Sequence, residues 1–318
     1  MTQMRGRFAP SPSGEMHLGN AWTALLAWLQ VRSQGGAVVL RIEDLDPDRC
    51  RPEYTAQLIR DLHWLGLDWD EGPDIGGPYG PYRQDERRHL YQQAIDRMAA
   101  RGLVYPCYCT RAEIRAAASA PHAGEDEQPY PGTCRQLTAE GGEEKARQGR
   151  RPAFRLIVPD ETLKFTDSLH GQVAQNIGRA CGDFIVRRTD GVHAYQLAVV
   201  VDDAAMAITH ILRGDDLLAS TPRQLYLYRL LGLTPPAFAH VPLLCGTDGH
   251  RLSKRQRGLS LAALRDRGLA AADIVGYLAH KAGLIPDRKP IAAGDLIGRF
   301  SLDLLPRTPV IVEDDAFG

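Results

Sequence analysis

The pattern of apolar positions opens with a short run, Arg5 to Pro10, that reads as a strand. A Ser/Pro/Gly turn follows, and then apolar residues at helical spacing, Trp22, Leu25, Leu26, Trp28 and Leu29. Strand, glycine-bearing turn and helix make the opening of a nucleotide-binding βα unit. Ala37 to Ile42, rich in β-branched residues, predicts a buried strand that ends on Glu43 and Asp44. Ligands sit at the carboxyl ends of strands in open α/β sheets, so these two acids fall where chemistry is expected. Arg83 to Arg101 is helical in pattern. Gly102 to Arg188 reads as an insertion that splits the parallel sheet, with a mobile loop expected in the Gly-, Pro- and acid-rich stretch Pro121 to Gly132. Strand signals resume at Val192 to Val201 and Ala205 to Leu212, followed by a helix over Thr221 to Leu231 and a short strand near Val241 to Leu244. Helical patterns return at Leu259 to Arg267 and Ala271 to Ala282. No internal repeat is visible.

The 318 residues are 44% hydrophobic, which at about 150 residues per domain predicts roughly two domains with ample cores. The 38 Lys and Arg against 39 Asp and Glu leave a net charge of −1, so no global basic field recruits nucleic acid and any RNA contact needs a local patch. The final stretch, Pro286 to Gly318, carries more acids than bases and is no basic tail. No apolar run approaches the roughly 18 residues needed to span a bilayer, and no secretory leader is apparent. A soluble, unsecreted, cytoplasmic protein without membrane contact is expected, and a monomer is expected, although the absence of an evident coiled coil or repeat does not itself fix the oligomeric state.

The cysteines are Cys50, Cys107, Cys109, Cys134, Cys181 and Cys245. In a chain of this length without a leader they read as free thiols or metal ligands rather than a disulfide framework. Cys107, Cys109 and Cys134 are spaced to suit tetrahedral Zn²⁺ with one ligand missing, and ligand chemistry alone nominates His122 as the fourth. Cys50, Cys181 and Cys245 show no partner pattern. Asp44-Leu-Asp46-Pro-Asp48 imitates the start of a calcium loop, but Arg49 and Thr55 stand where that loop needs Gly and Glu, so calcium is rejected.

Two runs carry phosphate chemistry. In Arg7-Phe-Ala-Pro-Ser-Pro-Ser-Gly-Glu-Met-His17-Leu-Gly19-Asn20, Gly14 and Gly19 permit close backbone approach, His17 can donate to phosphate oxygens, and the next helix turns its N-terminus to anions. The second is Arg251-Leu-Ser-Lys254-Arg255, after the turn Gly246-Thr-Asp-Gly249. From 250 to 267 the chain holds His250, Arg251, Lys254, Arg255, Arg257, Arg265 and Arg267 against Asp266. Such a basic loop suits a triphosphate whose charge rises during displacement at the α-phosphate. Taken singly, the first run is a capped turn and the second a solvated basic loop.

Taken together, the two runs resemble the two signature motifs of class I aminoacyl-tRNA synthetases. RFAPSPSGEMHLGN, LRIEDLDPDR, AYQLAVVVDDAAMAITHILRGDDL and RLSKR resemble, in order, the catalytic domain of glutamyl-tRNA synthetases over most of residues 5 to 257. The resemblance implies an α/β, Rossmann-like catalytic domain whose first half is residues 1–101 and whose second half, with the lysine loop, is residues 189–257. Between them it places a zinc-binding α/β subdomain of the acceptor-binding type at 102–188, and after them a helical, stem-contact-like segment at 258–318.

The same resemblance implies roles. Arg7 and Arg213 match arginines that bind glutamate, Glu43 the acid that pairs with its amino group, and Tyr195 a pocket tyrosine, with Phe8, Ala9, Pro10 and Ser11 lining the substrate. Two carboxylates and an ammonium call for guanidinium forks and a counter-acid in this way. His17 and Lys254 are the expected catalytic residues; His17, Gly19, Asn20 and Lys254 are expected to bind ATP, with Mg²⁺ on its phosphates. The substrate carboxylate itself attacks the α-phosphate, so catalysis is positioning and charge stabilisation. For the metal, the resemblance selects Tyr130 in place of His122 beside Cys107, Cys109 and Cys134, around one structural Zn²⁺.

Asn20 stands where many class I enzymes carry a second His, and Arg251 and Arg255 replace the outer Lys and Ser of the second signature. Altered rates with retained chemistry are expected. The chain stops about sixty residues after RLSKR, whereas the resemblance implies that an ordinary glutamyl-tRNA synthetase continues well past this point into an anticodon-binding domain, so no room for that domain is expected here. It therefore looks like the short paralogues of this family that activate L-glutamate with ATP without needing tRNA and esterify it to the queuosine diol in the anticodon of tRNA(Asp). Three other readings stand beside it: a minimal enzyme charging the 3′ end of tRNA(Glu), a catalytically retired zinc- and RNA-binding paralogue, and a small nucleotidyltransferase. The last leaves RIED and LRGDD unexplained.

Overall fold

The computed structural model describes residues 3–117, 130–252 and 257–317. The first part of the chain forms β1 (Arg5–Phe8), α1 (Leu18–Arg32), β2 (Ala37–Leu40), α2 (Pro52–Trp64), α3 (Arg88–Ala99), β3 (Val104–Cys107), α4 (Arg111–Ala117) and α5 (Ala139–Arg147). The middle forms β4 (Ala153–Leu156), β5 (Thr162–Asp167), β6 (Gly171–Asn176), α6 (Ile177–Ala180), β7 (Phe184–Arg187), α7 (Tyr195–Ala205), β8 (His210–Gly214), α8 (Thr221–Leu231) and β9 (Ala237–Val241). The last part forms β10 (Leu244–Cys245), α9 (Leu261–Asp266), α10 (Ala271–Lys281) and β11 (Val310–Ile311).

Six strands make the main sheet in the order β2-β1-β8-β9-β5-β6, parallel from β2 to β5 and closed by the antiparallel hairpin β5–β6. Alternate strand residues go to opposite faces, and the cores follow. Val38, Leu40, Leu212 and Ala239 pack with α1 and α10, whereas Val39, Ile211 and Phe238 pack with α3, α7 and α8. The layers are thus helix, sheet, helix, as an α/β fold requires. Close packing of α1 on the sheet rests on Gly6, where a Cβ would lie 2.3 Å from Val31.

Several expectations need correction. The run Val192 to Val201 is not a strand: from Tyr195 it is α7, with Leu197 to Val200 and also Asp202 and Asp203 buried. A helix enclosed on most sides shows no polar stripe, so its apolar run imitates a buried strand. The strand expected from Ala205 begins only at His210, after a turn in which Ala207 has φ 53°. Around Val241 to Leu244 one strand ends and another begins, so the apolar residues flank a break.

The segment 102–188 contributes to two sheets. Its strands β3, β4 and β7 form an antiparallel sheet of their own, while its β5–β6 hairpin joins the main sheet through Asp167 opposite Phe238. The stretch after 257 carries α9, α10 and short 3₁₀ turns joined by irregular chain, and β11, which pairs with β10. Through Ile274, Val275, Tyr277 and Leu278 on α10 it shares the core around α1. Among the described residues no helix is long and apolar enough to cross a membrane. The expected loop at 121–132 lies largely outside the described residues.

Candidate active site

The carboxyl ends of β1 and β8, with the chain just beyond β2 and the start of α7, enclose a cavity of about 240 Å³. Its walls bring together Arg7, Phe8, Ala9, Pro10, Ser11, His17, Gly19, Asn20, Glu43, Tyr195 and Arg213. These residues span more than two hundred positions of sequence, and all of them were selected there for glutamate or ATP. Lys254 and Arg255, and with them the centre of the second signature, lie outside the described residues. Arg251 lines the same cavity and ion-pairs with Asp216 at 2.6 Å.

The first signature turn is built as a helix cap. His17 is the N-cap of α1: its Nδ1 accepts from the Gly19 N–H at 3.1 Å, and its own N–H donates to Asn20 Oδ1 at 3.2 Å. Asn20 therefore completes a reciprocal cap of the kind that satisfies orphan donors at a helix start. Because Nδ1 accepts, the neutral ring carries its proton on Nε2 as a donor. A Cβ on Gly19 would stand 3.1 Å from the His17 ring, so glycine allows the ring to lie against the backbone. The backbone at His17 also bridges to Ser260, which ties this turn to the chain just after the second signature.

Charge is concentrated around the cavity floor. Arg41 is fully buried, with Nη1 2.6 Å from Asp203 Oδ1, Nη2 3.0 Å from Glu43 Oε1, and Nε 3.8 Å from Asp202. Arg7 reaches Asp203 at 3.4 Å. Burial raises the Glu43 carboxyl above its ordinary range, against the pull of Arg41 and Arg7. Burial acts the same way on Asp203, but Arg41 and Arg7 outweigh it and hold that carboxyl low. Burial raises the Tyr195 phenol, with Glu43 adding to it. Two arginines, an acid and a phenol around so small a space suit a compact zwitterion with two carboxylates.

A second, larger basin of about 1480 Å³ meets the first at Ser11, Glu43 and Tyr195. Arg49, Arg111, Arg150, Arg151, Arg155 and Arg188 line it, against Glu43, Asp46 and Asp190. Six cations against three acids make this the local basic surface that net charge alone concealed. Asp44 and Asp46, the false calcium loop, are occupied by arginines: Arg83 at 2.7 Å and Arg188 at 2.9 Å.

At the far wall of the basin stand Cys107 and Cys109. The sulfurs of Cys107, Cys109 and Cys134 all lie within 4.8 Å of one another and could hold a metal ion. The Tyr130 hydroxyl joins them, 3.3 Å from Cys107 Sγ and 3.4 Å from Cys109 Sγ. A tetrahedral ion bound to thiolates at about 2.3 Å needs such convergence of donors, and these four groups fit it; His122 lies outside the described residues. Burial pushes the Cys109 thiol up to about 11. Cys134 feels the same burial, yet the Tyr108 N–H and its neighbours' hydrogen bonds hold it below the usual thiol range. Arg155 stacks 3.8 Å above the Tyr130 ring, linking cluster and basin.

Sequence reasoning missed Arg41, Asp203, His240 and Asp167. A charged residue inside an apolar strand, as in Leu40-Arg41-Ile42, or an acid pair inside an apolar run, as in Val201-Asp202-Asp203-Ala204, is the signal that could have found the first two.

A family model described as tRNA synthetases class I (E and Q), catalytic domain, matches residues 3–289. The chain is 56% identical over 313 residues to a glutamyl-Q tRNA(Asp) synthetase of Nitratidesulfovibrio vulgaris, covering 98% of this chain and 96% of that one. It is 40% identical to a glutamate–tRNA ligase of a Sulfurihydrogenibium species, covering 97% of this chain but 65% of that one. Among solved structures it is similar to a glutamate tRNA ligase from Elizabethkingia meningosepticum in complex with its amino acid, with TM-score 0.85, 27% identity, and coverage of 99% of this chain and 68% of that one.

Proposed function

We propose, from the premise that this chain belongs to the class I tRNA synthetases of the E and Q type, that it activates L-glutamate with ATP and transfers it to the cyclopentene diol of queuosine in tRNA(Asp). The observation that carries the amino-acid half is the single cavity shared by Arg7, Glu43, Tyr195 and Arg213 with the His17 cap. The tRNA half is supported by near full-length similarity to relatives named for that reaction.

Arg213 and Arg7 hold the carboxylates, Glu43 the ammonium, and the Tyr195 hydroxyl fixes the substrate between them. His17, donating from Nε2, and the N-terminus of α1 receive the phosphates, with Lys254 as a further cation. Mg²⁺, when bound, neutralises phosphate charge. A glutamate carboxylate oxygen attacks the α-phosphorus; the new O–P bond forms as the α–β bridge breaks, and pyrophosphate leaves with its electron pair. A hydroxyl of the diol then attacks the acyl carbon, AMP leaves, and the hydroxyl proton passes to solvent. No protein nucleophile is needed, so catalysis rests on positioning and on fixed donors. Cys107, Cys109, Tyr130 and Cys134 hold one structural Zn²⁺ that braces the wall of the basin, and the arginines of the basin receive the RNA backbone.

The glutamate–tRNA ligase relatives favour a second reading, charging of the 3′ end of tRNA(Glu). Glutamate-dependent ATP–pyrophosphate exchange without tRNA tests the first half: exchange supports glutamate activation, and none at saturating substrates contradicts it. Nuclease mapping of transferred glutamate separates the two acceptors.

A further inference from the structure

Arg213 is held through two of its three nitrogens. Its Nε donates to His240 Nε2 at 2.9 Å and its Nη2 to Thr221 Oγ1 at 2.8 Å. Nη1 is buried and has no hydrogen-bond partner among the described residues. A guanidinium offers donors only, so His240 Nε2 must present its lone pair. The ring proton then belongs on Nδ1, which lies 2.6 Å from Asp167 Oδ2. His240 is fully buried, and that burial holds it below the usual histidine range, in keeping with the neutral ring that the Arg213 contact requires.

Asp167 is fixed in its turn. Its Oδ1 accepts from the backbone N–H groups of Leu169 and His170, each at 2.9 Å, which leaves Oδ2 for His240. The three side chains come from three places: Asp167 from the end of β5, His240 from β9, and Arg213 from β8. The β5–β6 hairpin thus does more than widen the sheet. It delivers a buried carboxylate that reaches Arg213 through His240.

We propose that Asp167 and His240 are positioning residues for glutamate: Asp167 sets the Nδ1–H tautomer of His240, and His240 aims Arg213 so that its unpartnered Nη1 meets a substrate carboxylate. This rests on the glutamate reading above. Asp167→Asn changes the tautomer while keeping the shape of the side chain. The two backbone N–H groups keep the amide oxygen of the variant where Oδ1 was, so its NH₂ faces His240 and donates to Nδ1. The ring proton moves to Nε2, where it can donate to Thr221 Oγ1 at 3.1 Å but leaves the Arg213 Nε–H without its acceptor. A histidine forced into the wrong tautomer by such a change is known to lose function with its geometry intact.

The experiment measures glutamate-dependent ATP–pyrophosphate exchange for the wild type, Asp167→Asn, and Asp167→Asn combined with His240→Gln. Expected for Asp167→Asn is a glutamate KM raised about ten- to a hundredfold, the size of one lost charge-assisted hydrogen bond, with the KM for ATP and kcat nearly unchanged. The double variant should recover part of the loss, because a glutamine carbonyl accepts from Arg213 without help from Asp167. An unchanged glutamate KM overturns the proposal. So does a parallel rise of both KM values with a loss of thermal stability and no recovery, which a purely structural role would give. ¹⁵N NMR of His240 needs no activity: Nδ1–H in the wild type and Nε2–H in Asp167→Asn support the link, and Nε2–H in the wild type refutes it. If the wild type shows no exchange but the tautomers behave as stated, the glutamate reading fails while the Asp167–His240 coupling stands.

Discussion

Replacing Arg41 by Met removes the cation at the centre of the buried charge cluster while keeping a long side chain of similar shape. Its three acidic neighbours do not suffer equally. Asp203 keeps Arg7 at 3.4 Å, and Asp202 keeps Arg87 at 2.6 Å with Gln84 and Tyr91 at 2.8 Å each. Glu43 loses its ion-pair partner at 3.0 Å. Breaking a buried pair costs about 3–5 kcal/mol, and the spared neighbours put this case at the lower end. Glu43 can escape by taking up a proton, which from its ordinary pKa of 4.5 costs about 1.4 kcal/mol per pH unit. The part of the loss carried by Glu43 is therefore limited to about 3.4 kcal/mol at pH 7 and about 0.7 kcal/mol at pH 5, and Asp203 also gives up its 2.6 Å contact with Arg41. The sign follows: the variant is penalised more as pH rises, because the stranded carboxylate must be neutralised against a lower proton concentration. Urea unfolding of both proteins at pH 5 and pH 7 reads this directly, and with a slope of about 3 kcal/mol/M the midpoint should fall by about 1 M at pH 7. A loss below about 1 kcal/mol at pH 7, or the same loss at both pH values, would refute the reasoning that Arg41 is needed to keep Glu43 ionised.

Changing Cys107 and Cys134 to Ser should abolish binding of one equivalent of zinc per chain, measured by metal analysis of protein purified without chelator; a metal-free wild type contradicts the four-donor site. Lys254→Ala should sharply lower glutamate-dependent ATP–pyrophosphate exchange, and undiminished exchange removes that lysine from the mechanism. His193 is buried against the edge of Tyr91, with both ring nitrogens unpartnered among the described residues and burial holding it down to about 4. A lowered histidine contributes stability above its unfolded value near 6.5 that is lost as pH falls toward 4, since the unfolded chain takes the proton first. His193→Phe should flatten the dependence of the thermal midpoint on pH in that window; an unaltered slope contradicts the assignment.

Legibility in the sequence followed the locality of the signal. The βα opening, the helix over Thr221–Leu231 and the acids after β2 were readable because strand, turn and cap residues lie within a few positions of one another. The residues that line the cavity are far apart in sequence and were selected only through the family resemblance of the motifs that carry them; Lys254 falls outside the described residues. Helix α7 was misread because enclosure removes the polar stripe that marks a helix. Arg41, Asp203, Asp167 and His240 were missed because their meaning is tertiary. Arg41 and Asp203 are 162 positions apart, Asp167 and His240 73 apart, and no periodicity records such a pairing. The basic basin was hidden by a net charge of −1, because its arginines are gathered by the fold and not by sequence.

The most direct test of the account is transfer of labelled glutamate, with ATP and Mg²⁺, onto tRNA(Asp) carrying queuosine and onto the same tRNA carrying guanosine at that position. The account predicts label on the queuosine-containing tRNA alone, mapped by nuclease digestion to the anticodon. Label at the 3′ end of tRNA(Glu), or on no tRNA at all, would contradict it.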